Sequence, residues 1–233
     1  MPLLGKAAML LSFDIEEAAI AEHDDWHTHE HLPERLSIPG FLRGTRWVSF
    51  QGSPRYAVIY EVERLETLGS EAYLKRLNSP TPWTSKMMTH YRGMIRGLCS
   101  VERSYGFGTG HYSLLIRFKP IIDSSALIEW LDDQVLPHLP SRPGLSSVHL
   151  LRGAVAAAMT SEQQIRGVDA GVDWALMATG YEPEAIAELE SAELSLRVLQ
   201  AHGCASASFA SYRAAYSLSA HEITTPSAAH IRN

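Results

Sequence analysis

A histidine-rich segment near the start of the chain holds the side chains best suited to chemistry. From Trp26 it reads W-H-T-H-E-H-L-P, and His23 lies just before it. Histidine titrates near neutral pH and is the most common general acid or base in enzymes. At about 100° per residue, four side chains fall within one broad helical face: His23, His27, Glu30 and His31. We predict His27, Glu30 and His31 as catalytic residues, with Glu30 orienting a histidine or acting as a second base.

The same segment also matches a metal-binding pattern, H-x-x-E-H, in which His27 and His31 would share one ion. The match is short, and nothing elsewhere in the sequence indicates a third ligand, so we predict no metal site. A mononuclear metal site stays open as an alternative. Haem is another alternative, with four lone histidines as candidate ligands: His111, His138, His149 and His202. No nucleotide-binding motif is present, and we expect no organic cofactor.

The segment belongs to a pattern that occurs twice, 104 positions apart. The pairs are Trp26 with Trp130, Leu32-Pro33 with Leu136-Pro137, and Pro39-Gly40 with Pro143-Gly144. The shared pattern, W-x5-L-P-x5-P-G, predicts an internal duplication.

Both copies continue with the same order of elements. The predicted strands are Ala8–Phe13, Phe41–Phe50, Tyr56–Val62 and Leu98–Phe107, then Tyr112–Phe118, Leu145–Leu151, Trp174–Thr179 and Ser206–Ser217. The predicted helices are Ala18–Leu32 and Leu65–Leu77, then Ala126–Leu136 and Glu184–His202. Two stretches are predicted as loops: Ser79–Ser85 and an insertion at 153–173 in the second copy.

The order β-α-β-β-α-β is that of a ferredoxin-like unit, whose helices cover one face of an antiparallel sheet. A second sheet is needed to cover the other face. The predicted fold is therefore α+β, with tandem ferredoxin-like repeats forming a fused, pseudo-dimeric α+β barrel. The glycine-rich stretch Gly106–Gly110 predicts the boundary. Residues 1–108 would form the first repeat, which carries the candidate site, and 109–233 a degenerate second repeat.

This layout resembles the dimeric α+β barrel superfamily. The stretch from Trp26 to Phe41, W-H-T-H-E-H-L-P-E-R-L-S-I-P-G-F, is similar to an EH-x-PERL-x-x-PGF signature of tandem members near the EthD-like proteins. The segment P-T-P-W-T, Pro80–Thr84, looks like a second mark of that group. The superfamily includes cofactor-free monooxygenases, isomerases, cyclases, lyases and haem-binding members. The resemblance therefore implies a fold and leaves the reaction open.

The two copies differ at the candidate site. Where the first has His23, His27 and His31, the second has Leu127, Leu131 and Val135. Burying a polar group without a partner costs about 1–3 kcal/mol, so histidines at core positions favour a face that borders a cavity. The alternative is a rotated first helix whose histidines face solvent.

Further residues of the first repeat are predicted to bind substrate: His23, Arg46, Tyr56, Tyr60 and Trp83. Small-molecule sites are mostly apolar with a few polar groups, and aromatic residues in this repeat suit a small apolar or aromatic substrate. Trp83 lies in the predicted loop, which could cover a cavity mouth. We predict Arg43 as a charge on an edge strand.

The composition argues against some classes of binding partner. A net charge of −6 and a pI near 6.0 argue against a nucleic-acid surface. No apolar run reaches the roughly 18 residues of a membrane span, and the apolar run at 7–13 lacks the basic region of a signal peptide. We expect a cytoplasmic protein with a small-molecule substrate, no nucleic-acid or membrane partner, and buried Cys99 and Cys204. Whether it forms a homo-oligomer stays open.

These observations favour an enzyme that moves a proton on a small apolar or aromatic molecule without an organic cofactor. A lyase, dehydratase or isomerase fits that description. The alternatives are a cofactor-free monooxygenase, a metal-dependent enzyme that uses the same histidines, and a binding barrel without catalysis.

Overall fold

The computed structural model describes residues 3–50, 54–121, 125–154, 160–167 and 169–224. The strands are β1 (Ala7–Ile15), β2 (Phe41–Ser49), β3 (Tyr56–Val62), β4 (Tyr91–Gly106), β5 (Tyr112–Pro120), β6 (Leu145–Ala154), β7 (Trp174–Gly180) and β8 (Cys204–Ser219). The α-helices are α1 (Ile20–Trp26), α2 (Leu32–Leu36), α3 (Glu71–Leu77), α4 (Pro82–Met88), α5 (Ala126–Trp130), α6 (Ser161–Arg166), α7 (Pro183–Ser191), α8 (Leu196–Ala201) and α9 (Ala220–Thr224). None of the described helices is long and apolar enough to cross a bilayer.

The strands close into one antiparallel barrel in the order β1-β3-β2-β8-β5-β7-β6-β4. Each repeat supplies four neighbouring strands, and the repeats join where β2 pairs with β8 and β4 pairs with β6. The predicted α+β fold of tandem ferredoxin-like repeats is confirmed. The division of the chain at residue 108 falls between β4 and β5 and stays a prediction.

Three apolar clusters follow from the alternation of side chains along the strands. One cluster fills the barrel and takes side chains from all eight strands, including Leu10, Trp47 and Tyr212. The other two lie outside the barrel, where the helices of each repeat cover its sheet. The candidate site belongs to the outer cluster of the first repeat.

The duplicated sequence pattern has a structural counterpart in each repeat. A π-helical turn spans His27–His31 in the first and Leu131–Val135 in the second. It precedes Pro33 and Pro137, whose missing N–H disturbs the regular hydrogen-bond ladder. The repeated Pro-Gly ends in a left-handed glycine, with φ of 88° at Gly40 and 86° at Gly144.

Four predicted elements were wrong in detail. Helix α4 begins inside the predicted loop Ser79–Ser85, because the Thr81 hydroxyl accepts a hydrogen bond from the Thr84 amide and Pro82 suits a first helical turn. The described part of the insertion contains α6, which starts with a capping box between Thr160 and Gln163. The helix predicted at Glu184–His202 is broken into α7 and α8. The helix predicted at Leu65–Leu77 begins as a 3-10 turn, Leu65–Gly69.

Arg43 is not on an edge, because β2 pairs on both sides. Its side chain points into the barrel, and its Nε atom donates a 2.6 Å hydrogen bond to Glu61. Cys99 and Cys204 are both buried as predicted.

One histidine, His149 on β6, also lies inside the barrel. Its Nδ1 atom is 2.9 Å from the Ser104 hydroxyl and its Nε2 atom is 3.3 Å from the Ser147 hydroxyl. Burial, with a smaller contribution from the charge of Arg43, lowers the pKa of His149 to about 3. The folded protein therefore keeps this imidazole neutral at mildly acidic pH.

We expect His149 to destabilise the fold as the pH falls. The unfolded chain takes up a proton on this histidine near pH 6.5, whereas the folded chain does so only near pH 3. Proton uptake between these values stabilises the unfolded state and so lowers the free energy of unfolding. The slope approaches about 1.36 kcal/mol per pH unit below pH 6.5, so wild type should lose about 1.5 kcal/mol more unfolding free energy than His149→Asn between pH 6.5 and about pH 5. Denaturant titrations at the two pH values measure this difference, and equal losses in the two proteins would contradict it.

Candidate functional site

The three histidines of the first helix lie between that helix and the sheet. His23, His27 and His31 are 0%, 1% and 6% exposed. Leu127, Leu131 and Val135 occupy the matching places in the second repeat and are 0%, 0% and 7% exposed. The alternative with histidines facing solvent is therefore wrong; in this segment it is His29 that faces outward, with its side chain 69% exposed.

The histidines form a row in contact with tyrosines of the sheet. The ring centroids of His23 and His27 are 5.5 Å apart, and those of His27 and His31 are 5.6 Å apart. The Tyr91 hydroxyl is 3.4 Å from His23 Nε2, and the Tyr60 hydroxyl is 3.4 Å from His27 Nε2. Both distances are at the long end for a hydrogen bond, so the rings are held loosely on that side.

Two ring nitrogens in this row have no partner. His27 Nδ1 and His31 Nδ1 are buried and form no hydrogen bond. Leaving a buried polar atom unsatisfied costs about 1–3 kcal/mol, and native proteins leave few such atoms without a reason. Neither nitrogen uses its hydrogen-bonding capacity within the part of the chain that the structure describes.

The electrostatics keep all three histidines neutral. Burial is the largest cause in each case, and it lowers the pKa of His23 and lowers the pKa of His27 and His31 well below 6.5. The positive charge of Arg35 lowers the pKa of His31 further. The tyrosines change in the opposite sense, since burial raises the pKa of Tyr60 and that of Tyr91. The site thus holds neutral bases beside phenols that keep their protons.

A small cavity borders the row at His31. Its volume is about 20 Å³, and its walls include Met9, Leu11, Tyr73 and Arg96. A volume of this size holds about one water molecule. A larger ligand can enter only if part of the wall moves.

Helix α6, from the insertion of the second repeat, covers this cavity. Glu162 and Arg166 of α6 line it opposite His31 and Arg35. The Arg35 guanidinium donates a short hydrogen bond to Glu162, and their side chains are only 1% and 3% exposed. Burial alone would lower the pKa of Arg35, but the charge of Glu162, its hydrogen bond and the nearby Tyr73 and Tyr60 together outweigh burial and raise that pKa. The buried ion pair therefore fastens α6 to the helix that carries the histidines.

Glu30, the predicted partner of the histidines, points towards α4. Its Oε1 atom accepts hydrogen bonds from Trp26 Nε1 at 3.1 Å, from the Thr81 hydroxyl at 2.5 Å and from the Thr84 hydroxyl at 3.3 Å. The carboxylate thus ties the π-helical turn to α4. Within the described residues, no three His, Cys, Asp or Glu side chains converge as a set of metal ligands.

Arg46 and Tyr56, two predicted substrate-binding residues, meet at Asp24 of the same helix. Arg46 donates a 3.0 Å hydrogen bond to the Asp24 carbonyl, and the Tyr56 hydroxyl donates a 2.8 Å hydrogen bond to the Asp24 carboxylate. Burial raises the pKa of Tyr56 to about 12. The structure places Trp83 on α4, where its Nε1 atom donates to Glu22 at 3.1 Å. These contacts position the helix.

Solved structures of similar shape cover nearly the whole chain. An anthrone oxidase-like protein has 12% sequence identity and a TM-score of 0.63, with 97% of this chain and 98% of that chain covered. A monooxygenase candidate from Fusobacterium nucleatum subsp. nucleatum has 7% identity and a TM-score of 0.60, with 93% and 96% covered. The chlorite dismutase from Candidatus Nitrospira defluvii has 12% identity and a TM-score of 0.56, with 93% and 92% covered.

This chain has the fold of the dimeric α+β barrels. Identities this low establish the fold alone. No protein-family model matches the sequence, and no curated protein matches it. The likeness of the segment from Trp26 to Phe41 to the EthD-like signature stays a prediction.

Several residues that border the site were not predicted. Tyr91 begins β4, seven residues before the strand predicted there, so its position beside His23 was hidden. Arg35 was predicted to lie beyond the regular helix, yet α2 continues to Leu36. Glu162 and Arg166 lie in the insertion, whose place over the first repeat no local pattern indicates. Its spacing of four residues from His31, on the same helical face, was the available signal for Arg35.

Proposed function

We propose that the protein is a small-molecule enzyme that transfers a proton on a small apolar or aromatic substrate, with His27 and His31 as the acid–base residues. One observation carries this proposal. Both histidines keep a buried Nδ1 atom without a partner, at positions where the second repeat has Leu131 and Val135. The two histidines cost stability at positions where the same scaffold accepts leucine and valine. Such a cost is expected where a side chain has a function.

The environment suits a base that acts only on bound substrate. Because burial lowers their pKa, His27 and His31 are in the neutral, proton-accepting form throughout the neutral pH range. Protonation becomes favourable when a substrate anion forms beside the ring, since opposite charges attract strongly in a water-poor site. The Tyr60 phenol, whose pKa is raised, stays protonated and is a donor for a developing negative charge.

The remaining predicted residues have positioning roles in this proposal. Asp24 holds Arg46 and Tyr56 and so fixes the start of the helix, while Glu30 fixes its π-helical turn against α4. His23 contacts Tyr91 and Tyr56 at the closed end of the row. Substrate enters at the His31 end, where the cavity lies and α6 has to move aside.

A cofactor-free monooxygenase is the second candidate. The observation that favours it is the overall likeness to an anthrone oxidase-like protein and a monooxygenase candidate, both above a TM-score of 0.5. Deprotonation of an electron-rich aromatic compound would be its first step too. The two candidates therefore share the proton acceptor and differ in whether oxygen is consumed.

Hydrogen–deuterium exchange of substrate carbon tests the proposal directly. The protein is incubated in D2O with a panel of aromatic ketones, phenols and anthrones, and loss of C–H signals is followed by NMR while an oxygen electrode records the same samples. We expect enzyme-dependent exchange in at least one compound without oxygen uptake. Oxygen uptake that matches substrate loss would favour the monooxygenase. Saturable binding with neither exchange nor uptake would refute both and leave a binding protein.

A further inference from the structure

A second set of polar atoms without partners lies on the inner face of the barrel, whereas the histidines lie on the outer face. On β5, Arg117 alternates with residues of the outer cluster and shares the inward face with Leu115. Its Nη1 atom is buried and has no hydrogen-bond partner. The hydroxyls of Tyr212 and Ser12, each in a residue 1% exposed, lie close to each other on the same inner face.

The duplication shows that Arg117 is special to the second repeat. Arg117 pairs with Ala175 across β5 and β7, and Ser12 pairs with Ala57 across β1 and β3. Ser12 therefore takes the matching place in the first repeat. Because the first repeat has Ser12 at this place, the barrel does not need the guanidinium of Arg117 in order to close.

No carboxylate among the described residues acts on the pKa of Arg117. Burial lowers its pKa, and its charge acts on the phenol of Tyr212, whose own pKa burial raises to about 12. An arginine in such a place is strongly disposed to bind an anion, since five N–H donors in a planar fork match an oxyanion.

A cavity of about 330 Å³ opens at Arg117 at one mouth of the barrel. Lys119 and the serines 206 and 208 line it, so cationic and hydroxyl groups face the same space. Asp173 also lines it, and its carboxylate is 3.9 Å from Lys119 Nζ, with both side chains at least 60% exposed. An exposed pair at that distance is weak and leaves Lys119 able to turn to a ligand.

We propose that this cavity, the barrel-mouth site, binds a small oxyanion, either a carboxylate or a phosphate. Arg117 would hold the anion as a bidentate donor, with Lys119 at the rim and the Ser206 and Ser208 hydroxyls as further donors. The site is separate from the histidine row, so it can be tested whatever reaction that row supports.

Isothermal titration of the full-length protein with sodium phosphate, and separately with sodium acetate, tests the site at constant ionic strength and neutral pH. We expect saturable binding of at least one of the two, and the better probe distinguishes a phosphate site from a carboxylate site. Arg117→Met should weaken that binding about tenfold or more, because charged hydrogen bonds are lost. Arg117→Gln, which keeps a polar side chain, should show the same loss and serves if the first variant folds poorly.

Arg152→Met is the matched control. The Arg152 guanidinium carbon lies 5.7 Å from the ring centroid of Trp174, and Arg152 does not line the cavity, so its removal should leave binding unchanged. Absence of saturable binding of both anions to wild type overturns the proposal. So does binding that is as strong in both Arg117 variants as in wild type.

Discussion

Replacing His27 with Leu, or His31 with Val, will lower turnover by at least about 100-fold and leave the fold intact. These are the residues that the second repeat carries at the matching positions, where they are fully or almost fully buried. Loss of a positioned acid or base lowers the rate about 10²–10⁴-fold. Each change also removes a buried nitrogen without a partner, so we expect the free energy of unfolding to stay within about 1 kcal/mol of wild type.

The measurement pairs the exchange rate of the best substrate with a denaturant midpoint for each single variant. His29→Gln is the control, since that side chain belongs to the same helical turn but is 69% exposed and should retain full activity. His27→Gln adds a second test, because it keeps a polar group near Tyr60 while losing the base. Full activity in both His27→Leu and His31→Val would refute the proposed roles.

The fold could be predicted from the sequence because the duplication supplied an internal alignment. Trp26 and Trp130 are both placed on the first helix of a repeat, and the positive φ at Gly40 and Gly144 explains why Pro-Gly occurs twice. The same alignment predicted that the histidines lie on a buried face, since the second repeat has leucine and valine there. The helix, the turn and its buried face each depend on residues close together in sequence, which is what a periodic sequence pattern reports.

The cover of the site could not be predicted, because it depends on contacts distant in sequence. Arg35 and Glu162 are 127 positions apart, and α6 is a short helix in an insertion without a repeat partner. The direction of Glu30 was hidden for a related reason. Its partners Thr81 and Thr84 lie in a segment predicted as a loop, and only the helix α4 brings both hydroxyls to one carboxylate.

Replacing Glu162 with Gln will destabilise the protein by about 3 kcal/mol or more. Arg35 would keep its charge at 1% exposure, and breaking a buried ion pair on one side typically costs about 3–5 kcal/mol. Glu34, whose Oε2 atom is 3.4 Å from Arg35 Nη1, offsets part of this cost and places the expected value near the lower end. The measurement is the urea midpoint of Glu162→Gln against wild type.

The double variant Arg35→Met, Glu162→Leu should recover most of the lost stability, because no charge is then left buried alone. Lys86→Met is the control for an exposed pair; its partner Glu22 has a side chain that is 39% exposed, so little stability should be lost. A Glu162→Gln midpoint equal to that of Lys86→Met would contradict the prediction.

Because the ion pair between Arg35 and Glu162 holds α6 over the cavity, Glu162→Gln should also speed amide hydrogen exchange in α6 well above that in α4. Faster exchange confined to α6 would identify this helix as the part of the wall that opens for substrate.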